Sequence, residues 1–168
     1  MAKLSQFIDS LSNRLGLTFA WLSLAMVLVM AVIVILRYLF QIGSIALQES
    51  VIYINALIFT FGVAYTLKEQ GHVRVDIFYS RLSERRRAWV DLLGTLLFLI
   101  PSTVFIIWVC WDYVSVSWRI REGSAESSGL PFVFLLKSAI LVLPSLLLLQ
   151  GISEFTKSLA TLRRKEEP

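Results

Sequence analysis

Few residues in this chain have side chains suited to chemistry. There is one histidine, His72, and one cysteine, Cys110. One histidine cannot supply a bis-histidine haem site within the chain. The sequence has no grouping of His, Cys and carboxylates at metal-ligand spacing. Its glycines form no phosphate-cradling loop. Cys110 lies among aromatics inside an apolar run, where a small buried hydrophobe is a better reading than a redox thiol. The sequence therefore predicts no enzyme, no metal and no cofactor.

What remains is a handful of charges at the edges of apolar runs. Lys137 lies seven residues into the run 130–153, about 10 Å along a helix. Helical side chains lean toward their own N-terminus, so its ammonium can reach back to the interface. Two partners suit it, Asp112 or a group on another subunit. Glu49 stands where another apolar run begins. It reads either as a first-turn carboxylate complementing the helix dipole or as a contact to a partner. His72, Arg74 and Asp76 form a polar group that is either an exposed interfacial face or a docking surface.

These charges sit at the ends of long uncharged segments. Mean hydropathy is +0.72 and 57% of the 168 residues are hydrophobic, while charge is 17%, below the roughly 25% of soluble domains. Residues 17–36, 50–67 and 92–111 carry no charge, and 130–153 carries only Lys137. About 20 residues at about 1.5 Å each cross a hydrocarbon core of about 30 Å. Lipid requires the backbone to satisfy its own hydrogen bonds, which makes each run a helix. The prediction is an all-α membrane protein, one membrane domain over 1–168 with transmembrane helices at 17–36, 50–67, 90–113 and 130–153. The first run exceeds the apolar core of a signal peptide and has no small-residue cleavage site, so it is expected to be retained.

Of the 16 basic residues, 12 fall before the first span, between the second and third, or after the fourth. Only Arg37, Arg119 and Arg121 fall on the opposite side. The positive-inside rule then puts both termini in the cytoplasm. The pI near 9.5 reports topology and contact with membrane phospholipid, not a nucleic-acid surface. Trp21 and Trp89 fall near the inner ends of their spans, with Trp108, Trp111 and Trp118 at the opposite boundary, as interfacial indoles should.

At the N-terminus, Leu4, Phe7, Ile8, Leu11 and Leu15 recur at helical spacing, with Lys3, Gln6, Asp9, Ser10, Asn13 and Arg14 between them. This predicts an amphipathic interfacial helix over 1–16, lying on the inner leaflet before the first span. Gly71 suits the left-handed end of the second span. Asp76 suits the cap of a short interfacial helix over 77–82, and Ser83 with Glu84 the start of the third span. Pro101 and Pro144 predict kinks within spans three and four. Pro131 suits the entrance to span four, and 154–168 is expected to be a cytoplasmic tail.

At these residues the sequence resembles the small permease subunit of tripartite ATP-independent periplasmic (TRAP) transporters, DctQ-like. The likeness rests on Gly71-His72-Val73-Arg74-Val75-Asp76, on Arg37-Tyr38 and Glu49, and on Trp118, Glu122 and Gly129-Leu130-Pro131. Many family members open the second span with paired acids, whereas here Glu49 follows Gln48. The resemblance implies a bacterial inner-membrane scaffold subunit that pairs one-to-one with a large multi-helix membrane subunit. That large subunit would carry sodium and an organic acid delivered by a periplasmic substrate-binding protein. Arg37, Tyr38, Glu49, His72, Arg74, Asp76, Trp118, Glu122 and Lys137 become the expected partner or scaffold contacts. Two other classes compete. A dimeric multidrug-type exporter would place a carboxylate deep in its first span, and 17–36 has none. A membrane-anchor subunit of a redox complex would have to work without single-chain haem ligation.

Overall fold

Uncharged runs of this length have one way to satisfy their backbone in lipid, and the computed structural model is helical throughout its spans. It describes residues 2–69, 71, 79 and 82–163, without the side chains of 2–4 and 163. Helix α1 covers Ala2–Leu39 and α2 covers Ile45–Lys68. A rod from Glu84 to Ile120 follows, made of α3 (Glu84–Gly94), one π-helical turn (Thr95–Leu99) and α4 (Ile100–Ile120). Helix α5 covers Val133–Arg163. All four rods are long and apolar enough to cross a membrane, and no strand occurs among the described residues. We call the end carrying the connectors 40–44 and 121–132 the outer end, and the opposite one the inner end.

Helix α5 is the hub. It packs against α1, α2, α3 and α4, and α1 also packs along α2. An open apolar groove lies between α2 and α4, with α5 as its floor; Phe59 and Thr60 line one wall and Tyr113 the other. Helices α1 and α2 approach closely at Gly16, where a Cβ would stand 2.5 Å from that of Tyr65. One turn further on, Phe19 stacks on Phe61 with centroids 3.9 Å apart. Most large apolar side chains face outward, and the buried set is richer in Ser, Thr and Gln than in aliphatics. That is the signature of helices packed in lipid, where burial of apolar surface gives no drive and small or polar contacts decide.

Several expected boundaries move. There is no turn between a surface helix over 1–16 and a span from 17, because α1 runs unbroken for 38 residues, about 57 Å. Its inner third has neighbours the sequence could not reveal. Ser5, Ile8 and Ser12 are buried, whereas Phe7 and Leu11 face outward. Likewise, what looked like a tail from 154 continues α5 to Arg163. Gly71 follows the end of α2 without a left-handed φ. The helix stops at Glu69, and the Gly71 N–H donates to the Thr66 carbonyl at 2.9 Å. Ser83 does begin α3 with Glu84 in the first turn, but its hydroxyl makes no capping bond. Of the expected helix over 77–82 only Tyr79, which is helical, and Leu82, whose N–H donates to the Tyr79 carbonyl at 3.1 Å, are described, and its Asp76 cap lies outside the described residues.

Pro101 is accommodated by the π turn just before it. A proline lacks the N–H that would bond four residues back, and its ring collides with that carbonyl. Widening to i→i−5 bonding, as in the Ile100 N–H to the Thr95 carbonyl, relieves the crowding. Pro144 lies inside α5, fully buried.

Candidate functional site

The outer connector between α4 and α5 gathers four of the sequence-predicted residues. Helix α4 ends at Arg121, which adopts left-handed φ 50°. A non-glycine residue is uncommon there. The guanidinium stacks over Trp118 at 5.9 Å and over Phe134 at 5.5 Å, contacts that favour this conformation. The following N–H, of Glu122, donates to the Ser117 carbonyl at 3.0 Å and closes the helix end.

Glu122 then meets Lys137 one turn into α5. The ammonium donates to Oε1 at 2.8 Å and Oε2 at 2.6 Å and stands 4.1 Å from the centroid of the Tyr113 ring. The partner expected from the sequence, Asp112, is displaced by Glu122. Lys137 leans back toward its own N-terminus, and the chain leaving α4 carries Glu122 to that spot. The Lys137 ammonium holds the Glu122 carboxyl below the usual carboxylate range.

Glu49 anchors the other side of the same connector. It lies one turn inside α2, whose cap is Ser44 accepting from the Leu47 N–H at 3.3 Å, so it does not serve the dipole of the first turn. Its Oε2 accepts from the Leu130 N–H at 2.6 Å, and its Oε1 accepts from the Ser124 hydroxyl. Gly129 is required at this crossing. A Cβ there would lie 2.4 Å from that of Ser124 and 2.7 Å from Glu49 Oε1. Trp118 completes the cluster, donating from Nε1 to Ser138 Oγ at 2.8 Å and meeting Phe134 edge-on at 4.9 Å.

Glu49, Trp118, Glu122 and Lys137 are thus parts of one outer cap. Arg37 and Tyr38 belong elsewhere, at the exposed tip of α1, and take no part in these bonds. His72, Arg74 and Asp76 lie outside the described residues. The tryptophans proposed as anchors, Trp21, Trp89, Trp108 and Trp111, are all half or more exposed. The sequence reading missed Arg121, Ser124 and Gly129 as cap-builders. A short Ser/Gly connector preceded by two charges was the available signal.

A second cluster, at the inner end, went unread. Gln150 and Ser153 of α5 are completely buried. Gln150 Oε1 accepts from Ser12 Oγ at 2.7 Å, and its Nε2 donates to Asp9 Oδ1 at 3.0 Å and Glu154 Oε1 at 3.2 Å. Ser153 Oγ donates to Asp9 Oδ1 at 2.8 Å and lies 2.8 Å from Ser5 Oγ. Lys157 bridges Asp9 at 2.8 Å and Glu154 at 2.7 Å. The signal was two matching polar stripes, 5-9-12 and 150-153-157, each repeating at three to four residues.

In both clusters the carboxylates that accept from serine hydroxyls are also held by other groups of the fold, Glu49 by the Leu130 N–H and Asp9 by Gln150 and Lys157. Each cluster spends its charges on its own neighbours, and no group of three or more His, Cys, Asp or Glu able to hold a metal occurs among the described residues. Fold and site together define a multi-pass helical membrane protein whose polar residues hold its own elements in place. The chain belongs to the tripartite ATP-independent periplasmic transporters, DctQ component, whose family model matches residues 6–161. It is therefore a small permease component of a TRAP transporter, from a transporter family and not an enzyme family. No curated protein and no solved structure matched the chain in the same comparisons.

Proposed function

We propose that this chain is the static small subunit of a sodium-coupled importer for an organic acid. In this reading a large membrane subunit moves cargo and sodium, and a periplasmic binding protein delivers the acid. The present chain enlarges the scaffold and carries neither solute. It sits in the inner membrane with both termini in the cytoplasm, paired one-to-one with the large subunit.

One observation supports the scaffold role above others. The middles of all four spans are uncharged, and flanking charges are tied to one another or to backbone in Glu122–Lys137, Glu49–Leu130 and Asp9–Lys157. A conveyor of anions or sodium needs a polar group free to exchange partners near the midplane. The orientation is supported by the 12-to-3 division of basic residues.

The partnership is tested by co-purification. Tagged chain extracted in mild detergent should bring down the large permease in equal amount. Elution alone, or as a dimer of itself, would count against the proposal and favour a self-sufficient transporter.

A further inference from the structure

The first turns of α3 carry a strip in which two arginines stand above a tryptophan and leucines. Arg85 and Arg86 are exposed and make no ion pair among the described residues. Arg87, by contrast, is turned inward, donating to the Leu82 carbonyl at 2.9 Å and lying over the Tyr79 ring. Below the two free arginines come Trp89, 50% exposed, then Leu93, Leu96 and Leu97 at 44%, 45% and 59%. At 3.6 residues per turn, positions 85, 86, 89 and 93 share an arc of about 100°. Glu84 and Asp91 project from the other side of the helix, next to the buried Ala88 and Leu92. The strip thus holds two cations and no carboxylate.

Its polarity runs in one order: guanidinium, indole, aliphatic. From Arg85 to Leu97 is about 18 Å of helix, close to the roughly 15 Å depth of one leaflet's hydrocarbon. That order and that length match a single phospholipid laid against the helix, with phosphate at the arginines and an acyl chain along the leucines. Two guanidinium forks can take a phosphate in bidentate fashion.

We propose that this strip is a binding site for one anionic phospholipid of the inner leaflet, headed by Arg85 and Arg86 and floored by Trp89, Leu93, Leu96 and Leu97. The site rests on the orientation proposed above, since Ser83 must face the cytoplasmic headgroups. It does not depend on which subunit moves cargo.

Full-length chain in mild detergent, titrated with phosphatidylglycerol and separately with phosphatidylcholine, tests this by native mass spectrometry. The expectation is one phosphatidylglycerol retained in preference to phosphatidylcholine. The double variant R85Q/R86Q should lose roughly 30-fold in affinity, from two arginines at a charged surface. R14Q/R37Q removes the same net charge elsewhere and should change affinity by less than about twofold. R85K/R86K keeps the charge without the fork and should fall between wild type and the glutamine variant, which keeps the test informative if the glutamine variant unfolds. Equal losses in the two glutamine pairs would reduce the site to general surface charge and overturn it. So would retention of phosphatidylcholine as tight as that of phosphatidylglycerol. A third contrary result is crosslinking of position 85 to the large subunit in the co-purified complex with the lipid gone, which would make the strip a protein interface. Failure of co-purification with lipid binding intact would strike the scaffold reading alone.

Discussion

The two ends of the molecule are fastened differently. At the outer end, charges pin a connector to helices. Glu122–Lys137 spans 15 residues of sequence, and Glu49 reaches across to Ser124 and Leu130. At the inner end, buried serines and a glutamine join helix to helix across 138 to 148 residues. The outer cap is partly solvated, with 17% and 30% exposure for the Lys137 and Glu122 side chains. The centre of the inner clasp is closed off, Gln150 and Ser153 having no exposure at all, while its Asp9–Lys157 edge meets solvent, at 21% and 39%. Where water can compete, an ion pair is worth little. Where it cannot, each donor left without an acceptor costs its full desolvation. Stability should therefore depend on the inner end, and the shape of the outward face on the outer one.

Gln150→Leu should give the largest effect. It strips three hydrogen bonds from Ser12, Asp9 and Glu154 and should cost about 2 kcal/mol or more, read as a lower midpoint in thermal unfolding of the detergent-purified chain. Gly129→Ala comes next. Its Cβ would collide with Ser124 and Glu49, costing about 1–3 kcal/mol as strain. Here the sensitive readout is protease cutting within 121–132, which should quicken more than global unfolding does.

Glu122→Gln keeps the shape of the cap and removes its charge, with an expected loss smaller than either of these. Its value lies in pH. The Glu122 carboxyl is depressed by Lys137, so its contribution is present above the unfolded carboxylate value and lost as pH falls through the lowered folded one. Cap protection in wild type should hold through neutral and mildly acidic pH and decline only in strong acid. In the glutamine variant that acid-dependent decline should be absent. The smallest effect belongs to Asp112→Asn, which should leave Lys137 and the cap unchanged. A change as large as that of Glu122→Gln would restore the pairing with Asp112.

The same contrast explains what could be read from the sequence. Four spans were legible because uncharged runs of membrane length admit one backbone solution. Glu49, Trp118 and Lys137 were legible because charges and an indole at the edges of such runs demand partners, whereas Glu122 was marked only by the family resemblance. Their partners were not legible, since a carboxylate ten residues beyond Asp112 is brought in only by the left-handed turn at Arg121. The inner clasp was hidden more thoroughly. Asp9 read as part of the solvated face of a surface helix, and nothing in 1–16 announces that α5 continues past 153 to meet Ser5, Asp9 and Ser12.

Under the proposed division of labour this chain holds and another subunit carries. Uptake of radiolabelled dicarboxylates and monocarboxylates into proteoliposomes under an inward sodium gradient, with the periplasmic binding protein supplied, tests that division most directly. Vesicles containing this chain alone should take up nothing above empty vesicles, and adding the large subunit should start transport. Sodium-driven accumulation by this chain without the large subunit would contradict the account.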